Sequence, residues 1–334
     1  MKRAAILVLV LLVFCLSALA QKQYKLVDTV KLGGEGGWDY LTYEKGAHRL
    51  FITRGTHVMV IDTNTLKPIG DIPDLAGIHG VALAPEMSKG FVSNGGDDSV
   101  TVFDLKTLKA TDKIKVGGRP DAILYDPFSK HVFTFNAKSQ DSTVVDAASG
   151  KVVATIPLGG KPEFPATDGK GKIFVNIEDK GEIVLIDVNS NIAIAHWPLK
   201  GCEEPSALAF DVAQGRLFSG CGNKMMAVTD ASSGKIVTTV PIGGGVDAGA
   251  FNSKTQEVFM SCGEGTLAVI HEDSPDKYSA KQAVSTARGA RTMALDSDTN
   301  AIYLVTAQFG EKGPNDRRPP MIPGTFELLV VKPQ

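Results

Sequence analysis

The feature that most constrains this fold is a block of residues that recurs at a nearly fixed interval. Its clearest copy runs from Val92 to Pro127 and contains three short runs rich in β-branched and apolar residues, VTVFD, ATDKIKV and DAILYD. Turn sequences such as NGGDDS and GGRP separate these runs, which is typical of antiparallel strands joined by tight turns. The aspartate that ends VTVFD recurs at steps of 42, 42, 41 and 43 residues, as Asp62, Asp104, Asp146, Asp187 and Asp230. A period of this length with four strands per unit predicts a β-propeller.

Counting the repeats gives seven units. Six complete units run from Trp38 to Thr286, and in the sixth His271 replaces the repeated aspartate. A seventh begins at ARTMALDSD, breaks off, and resumes at FELLVVKPQ one strand short. The segment from Tyr24 to Gly34 matches the outer strand of the other units, so pairing it beside Phe326 to Lys332 would close the ring. The sequence therefore predicts an all-β fold: a seven-bladed β-propeller, four antiparallel strands per blade, closed by the N-terminal strand in the last blade.

The repeat also carries a family resemblance. The run VSNGGDDSVTVFD followed by IKVGGRPDAILYDP resembles the YVTN repeat, and residues 21–334 as a whole resemble the YncE-like seven-bladed propellers. The resemblance implies an extracytoplasmic propeller, in some cases one that binds a ligand or DNA. Two departures are visible. The first unit has ITRGTHV in place of an asparagine-glycine turn, and the last unit carries an insertion at about 307–324.

The first twenty residues have the pattern of a secretory signal peptide. Lys2 and Arg3 precede an apolar run that ends in Ala18-Leu19-Ala20, an A-x-A cleavage site. We expect residues 1–20 to be removed, and an uncleaved membrane anchor is the alternative. Residues 21–334 are expected to form one propeller domain without a membrane span. The product should be periplasmic or secreted. Subtracting Lys2 and Arg3 takes the formal net charge from −2 to −4. This balance argues against nucleic acid as a partner, because no overall basic field remains.

Propeller topology brings one residue from each blade to the mouth of the central channel. In four antiparallel strands, the links between blades and the turns between the second and third strands share one end of the molecule. Aligning the first residues of the innermost strands gives a ring, preceded in the first blade by Trp38, that consists of Asp39, His79, Asp121, Glu163, Ser206, Asp247 and Arg291. We expect this ring to hold a polar ligand or a cation; a merely solvated channel mouth is the alternative.

Arginine is concentrated on the same face. The predicted register places six arginines there, namely Arg54, Arg119, Arg288, Arg291, Arg317 and Arg318. Guanidinium groups suit carboxylate or phosphate recognition, so an anionic ligand is one expectation; neutralisation of the carboxylate ring is the other. The insertion at about 307–324 is rich in Pro, Gly and charge, and it is expected to fold over the channel mouth.

Three cysteines follow the signal sequence, and their number leaves at least one thiol without an intramolecular partner. The hairpin register places Cys202 near Cys221, which predicts a disulfide between them, with reduced thiols as the alternative. Cys262 and Cys221 occupy equivalent positions in neighbouring blades, which lie too far apart for a disulfide.

Sequence motifs for known enzyme chemistry are missing: there is no C-x-x-C, H-E-x-x-H, G-x-S-x-G or P-loop. The leading hypothesis is therefore an exported, non-catalytic binding propeller that holds a polar or anionic ligand, or a segment of a partner protein, at the channel mouth. It predicts no cofactor, although a bound cation would fit. A metal-assisted lyase or hydrolase that uses His79 with Asp121 or Glu163 is one alternative, and a protein-interaction scaffold is another.

Overall fold

The computed structural model describes residues 23–313 and 319–334, which form seven four-stranded antiparallel sheets. Within six of the sheets the strands follow chain order from the axis outward, and in every sheet we call them the inner, second, third and outer strands. The first three blades contain β2 (Leu41–Glu44), β3 (Arg49–Thr53), β4 (Val58–Asp62) and β5 (Lys67–Ile72); β6 (Ile78–Ala84), β7 (Lys89–Asn94), β8 (Ser99–Asp104) and β9 (Ala110–Lys115); and β10 (Pro120–Asp126), β11 (His131–Asn136), β12 (Asp141–Asp146) and β13 (Val152–Pro157).

The next three blades contain β14 (Pro162–Thr167), β15 (Lys172–Ile177), β16 (Glu182–Asp187) and β17 (Ile192–Pro198); β18 (Leu208–Asp211), β19 (Arg216–Cys221), β20 (Met225–Asp230) and β21 (Ile236–Pro241); and β22 (Val246–Asn252), β23 (Glu257–Cys262), β24 (Thr266–Ser274) and β25 (Lys277–Ser285). The described residues also include three single turns of 3-10 helix, Lys45–Ala47, Pro85–Met87 and Glu178–Lys180. None of the helices in this part of the chain has the length and apolarity needed to cross a membrane.

The seventh blade closes the ring as the sequence predicts. Its sheet joins β26 (Met293–Asp296), β27 (Ala301–Thr306) and β28 (Glu327–Pro333) to β1 (Tyr24–Lys31). Tyr24 lies opposite Pro333 and Lys31 opposite Glu327. The Tyr24 backbone N–H donates to Gln282 Oε1 at 2.9 Å, and the Tyr24 hydroxyl donates to Glu257. The closing strand is thereby bonded to the sixth blade, while its inner edge pairs with β28 with one register shift between Leu26 and Asp28.

The core lies between neighbouring blades and repeats with them. In each blade, the second strand buries an aromatic side chain at the third residue of the strand. This position points to the same side of the sheet in all seven blades, because the side-chain direction alternates along a strand. These side chains, all nearly inaccessible to solvent, are Phe51, Phe91, Phe133, Phe174, Phe218, Phe259 and Tyr303. Apolar packing between the sheets thus fixes the spacing of the blades around the axis.

The repeated aspartate shapes the turn between the third and outer strands. Asp62 Oδ1 accepts hydrogen bonds from the backbone N–H of Asn64 at 3.0 Å and of Thr65 at 2.7 Å, and from the Thr65 hydroxyl at 3.0 Å. Asp104 makes the same three contacts with Lys106 and Thr107. The recurrence of aspartate in the sequence is therefore explained by local turn geometry.

A disulfide joins the link between the fourth and fifth blades to the end of β19. Cys202 and Cys221 are bonded, with their Cα atoms 5.2 Å apart. Cys262 is a buried free thiol, and burial raises its pKa to about 11. The signal sequence expected at residues 1–20 lies outside the described residues.

Candidate functional site

The ring expected from the sequence forms the wall of one cavity at the channel mouth. All seven ring residues line this cavity of about 770 Å³, as do Trp38 and Arg119. The backbone brings them together because links and turns share one face: the Gly95 N–H donates to Gly77 O at 2.9 Å, and the Gly263 N–H to Gly245 O at 2.8 Å. We call this space the mouth cavity.

Four other polar or charged side chains, which were not expected from the sequence, also line the mouth cavity: Tyr40, Lys161, Glu178 and Glu204. Lys161 and Glu204 lie two residues before ring positions, as Arg119 does. The alignment that located the ring could therefore have located them. Glu178 comes from the turn between β15 and β16, and because turns between second and third strands share the mouth end of the molecule, the topology could also have located it.

His79 lies between two carboxylates. Its Nδ1 is 2.7 Å from Asp39 Oδ2 and 3.4 Å from Asp121 Oδ1. Burial lowers the pKa of His79, but the hydrogen bond with Asp39 and the charge of Asp121 outweigh it, so that the pKa is raised overall. Asp39, His79 and Asp121 each present one ligand atom within 4.8 Å of the others, a spacing that could hold a metal ion.

Two further carboxyl groups have pKa values above their ordinary range. Burial, and then the neighbouring charge of Asp121, raise the pKa of Glu163 to about 8 even though Lys161 Nζ lies 2.6 Å from its Oε1. Burial raises the pKa of Asp247 to about 6, although Arg291 Nε lies 2.7 Å from its Oδ2. The pKa of Asp121 is raised by burial and by the charge of Asp39. Like charges therefore crowd the mouth cavity more than its bases can neutralise.

Tyr40 carries an unused hydroxyl in the same place. Its ring stacks on Phe164 with centroids 4.3 Å apart, and its hydroxyl oxygen is buried with no hydrogen-bond partner in the described residues. Burial, and then the charges of Asp121, Glu163, Asp39 and Asp247, raise its pKa. A buried hydroxyl without a partner is costly, so this group is available to a bound molecule.

The six arginines expected on this face do not share one environment. Arg119 and Arg291 line the mouth cavity, whereas Arg288 lies outside it, beside an adjoining cavity. Arg54 is on the expected face but is fully buried, so it is not exposed to a ligand in the mouth cavity. Its guanidinium lies 3.6 Å from the centre of the Phe326 ring and donates to the carbonyl of Glu35 at 2.8 Å. Arg317 and Arg318 lie outside the described residues.

The insertion of the seventh blade lies beside the mouth cavity. It connects β27 to β28, and its base is a short ladder in which Phe309 pairs with Met321 and the Gly310 N–H donates to Pro320 O at 2.9 Å. The Phe309 ring packs on Trp38 with centroids 6.1 Å apart. The described part of the insertion therefore forms an aromatic wall next to the ring.

Comparison with solved structures shows the propeller fold. The chain is similar to a chain in the structure of Kuenenia stuttgartiensis hydrazine synthase, with a TM-score of 0.68 and 17% identity over 80% of this chain and 92% of that one. It is also similar to a chain of a mitotic checkpoint complex, with a TM-score of 0.73 and 12% identity over 91% of this chain and 95% of that one. Neither the family models nor the curated protein sequences that were compared match this chain. At such low identity the likeness shows the seven-bladed architecture alone.

Proposed function

We propose that this protein is a binding propeller whose mouth cavity holds a positively charged group of its ligand. The observation that carries the proposal is the charge balance of the cavity wall. Besides His79, three basic side chains line it, Arg119, Lys161 and Arg291, against six carboxyl groups, namely Asp39, Asp121, Glu163, Glu178, Glu204 and Asp247. Such a concentration of one charge sign in a concave site attracts ligands of the opposite sign.

Two of the three basic side chains are already paired. Lys161 contacts both Glu163 and Glu178, and Arg291 contacts both Asp247 and Asp39. Arg291, one of the arginines expected to bind an anion, thus neutralises two carboxylates instead. This pairing favours a cationic group over the anionic ligand that the arginine distribution alone would support.

The proposal also accounts for the protons that the cavity retains. Glu163, Asp121 and Asp247 have raised pKa values because their negative charges are crowded and poorly solvated. A primary ammonium group would supply the missing positive charge and an N–H donor for the unpartnered Tyr40 oxygen. Binding of such a group should therefore release protons from the carboxyl groups.

Calorimetric titration with ethylammonium at constant ionic strength tests the proposal. We expect heat that depends on the ionisation enthalpy of the buffer at pH 7, which reports proton release. The double variant Asp121→Asn, Glu163→Gln should weaken binding by about tenfold or more, corresponding to roughly 1.4 kcal/mol. The matched control Asp187→Asn, at an outer turn, should bind as the wild type does. Absence of ethylammonium binding, or binding of acetate in its place, would contradict the proposal.

A metal-assisted enzyme is a second candidate, favoured by the grouping of Asp39, His79 and Asp121. These side chains would supply one nitrogen and two oxygen ligands to a divalent ion. Metal analysis of the purified protein tests this candidate. Stoichiometric metal that is lost in His79→Ala would support it, and equal metal content in both proteins would contradict it.

The proposal includes export and membership of the YVTN-repeat, YncE-like propellers. Export is supported by the signal-like residues 1–20 and by the Cys202–Cys221 disulfide, because disulfides persist in oxidising compartments. Membership is supported by the VSNGGDDSVTVFD repeat. Mass spectrometry of the exported protein should find Gln21 at its N-terminus, whereas retention of residues 1–20 would contradict cleavage.

A further inference from the structure

A second cavity adjoins the mouth cavity beneath the insertion of the seventh blade. It has a volume of about 360 Å³ and is lined on one side by Trp38, Phe309 and Met321. The tilted rings of Trp38 and Phe309 form an apolar wall, and Arg288 lies 5.9 Å from the centre of the Phe309 ring. We call this space the aromatic cavity. Its chemistry is distinct from that of the carboxylate ring, because apolar and aromatic groups dominate its wall.

The floor of the aromatic cavity is mostly backbone. Gly37, Gly245, Gly263 and Gly289 line it. At Gly289 a β-carbon would lie 2.7 Å from the Phe309 ring, so this position must remain glycine for the ring to occupy its place. At Gly37, by contrast, a β-carbon would meet no atom within 4 Å. The glycines therefore leave a space in which a flat group can lie against the backbone.

The two cavities are continuous through shared residues. Trp38, Gly245 and Arg291 line both of them. Arg291 lies over the Trp38 ring at 5.9 Å while it pairs with Asp247. A ligand that places a charged group in the mouth cavity can therefore extend directly into the adjoining apolar cavity.

The indole N–H of Trp38 is a hydrogen-bond donor without a partner at this place, and the face of a ligand's aromatic ring can accept such a donor weakly. The side chain is 9% exposed, and its Nε1 is buried without a hydrogen-bond partner among the residues described. Indole nitrogens in buried positions ordinarily find an acceptor. The guanidinium of Arg288 also has no carboxylate partner within the described ranges, and planar guanidinium groups stack well on aromatic rings.

We propose that the ligand is a primary amine joined by a short linker to an aromatic ring, with the ammonium group among the carboxylates of the mouth cavity and the ring in the aromatic cavity. This inference rests on the proposed function and specifies its ligand class. The charge complementarity of the first cavity selects the amine. The apolar wall, the glycine floor and the neighbouring guanidinium groups select the ring.

Calorimetry with three probes tests this inference. Ethylamine carries the charge alone, 2-phenylethylamine carries the charge and the ring, and 2-phenylethanol carries the ring alone. Burial of the phenyl ring should make 2-phenylethylamine bind about tenfold or more tightly than ethylamine. The variant Gly37→Leu, which fills the aromatic cavity, should remove this gain and leave ethylamine binding unchanged. The matched control Gly46→Leu adds the same side chain at a site that is also open, on the opposite face, and should bind as the wild type does.

The possible outcomes separate the two proposals. Equal affinity for the two amines would overturn the aromatic cavity and leave the cationic mouth intact. Equal affinity for 2-phenylethylamine and 2-phenylethanol would overturn the cationic mouth and the amine class with it. If Gly37→Leu does not fold, Phe309→Leu serves in its place, and a gain from the phenyl ring that is undiminished in that variant would overturn the inference.

Discussion

Two sets of carboxyl groups, each supplied by successive blades, behave in opposite ways. At the outer turns the repeated aspartates accept hydrogen bonds from their own turns, which lowers the pKa of Asp62, Asp104, Asp146 and Asp230. In the mouth cavity the pKa values of Asp121, Glu163 and Asp247 are raised, first by burial. Ionisation of a carboxyl group is thus favoured at the outer turns and disfavoured in the mouth cavity.

The difference teaches where function is to be sought in a repeat protein. A residue that recurs unchanged in each unit satisfies a need that each unit has, here the turn between the third and outer strands. The ring positions at the axis vary from blade to blade, and their side chains interact across blades. Three carboxyl groups with raised pKa values occur at these variable positions, and clusters of perturbed pKa values are a usual mark of a site.

The largest expected effect is at an outer turn. Asp230 Oδ1 accepts hydrogen bonds from the backbone and hydroxyl groups of Ser232 and Ser233, and Arg216 contacts its Oδ2 at 2.8 Å. We expect Asp230→Ala to lower the free energy of unfolding by roughly 2 kcal/mol at pH 7. Because these bonds lower the pKa of Asp230 to about 2, its contribution is present above about pH 4 and is lost as the pH falls through 2.

Denaturant unfolding of Asp230→Ala across pH 2 to 7 measures this effect. Asp121→Asn at the mouth is the comparison, and it is expected not to lower stability at pH 7 because its carboxyl group is penalised there. An equal loss of stability in both variants would contradict the difference between the carboxyl groups of the outer turns and those of the mouth cavity.

The mouth should show the opposite pH dependence. The pKa of Glu163 is about 8 in the folded protein against 4.5 when unfolded, so wild-type stability should fall as the pH rises from 4.5 to 8. Glu163→Gln removes this titration. We expect the variant to match the wild type at pH 4 and to exceed it by roughly 1 to 2 kcal/mol at pH 9. Thermal unfolding at both pH values measures the difference.

The control for that experiment is Glu178→Gln. Glu178 contacts the same lysine, but its side chain is 30% exposed, compared with 10% for Glu163. The Glu178→Gln variant should therefore not be more stable than the wild type at pH 9. A pH profile of Glu163→Gln that parallels the wild type would rule out a retained proton on Glu163.

A buried carboxyl group away from the mouth should show the same pH dependence as Glu163. Glu272, in the long third strand of the sixth blade, accepts a hydrogen bond from the Tyr278 hydroxyl at 2.9 Å and is 3% exposed. Burial, and then Asp211, raise its pKa to about 7, although the bond from Tyr278 lowers it. We expect Glu272→Gln to be about 1 kcal/mol more stable than the wild type at pH 8 and equal to it at pH 4. Thermal unfolding at the two pH values measures this, and a less stable variant at pH 8 would contradict it.

The smallest effect is expected within the set of outer turns. Asp187 Oδ1 accepts two backbone hydrogen bonds, from Asn189 at 2.8 Å and Ser190 at 3.3 Å, and no hydroxyl bond. We expect Asp187→Ala to cost about 0.5 kcal/mol, clearly less than Asp230→Ala. Denaturant midpoints of the two variants compare them directly. Equal midpoints would show that the number of local hydrogen bonds does not set the contribution of the repeated aspartate.

The ring of residues at the mouth was predictable because topology alone assigns each inner strand to the axis. Its electrostatics were not predictable, because they depend on distances between blades: His79 meets Asp39 from the first blade and Asp121 from the third. Arg54 shows the limit most clearly. The register placed it correctly on the mouth face, but only the packed structure buries its guanidinium on Phe326 from the last blade.

The sequence by itself determined the number of blades, the strand order and the closure of the ring by β1, because these follow from local periodicity and from the pairing of every strand edge. Tertiary structure decided which of the charged groups at the axis are paired, which retain protons, and that an aromatic cavity lies beside them. Ionisation depends on burial and on charges a few ångströms away. In a propeller, those neighbours are contributed by blades that are far apart in the chain.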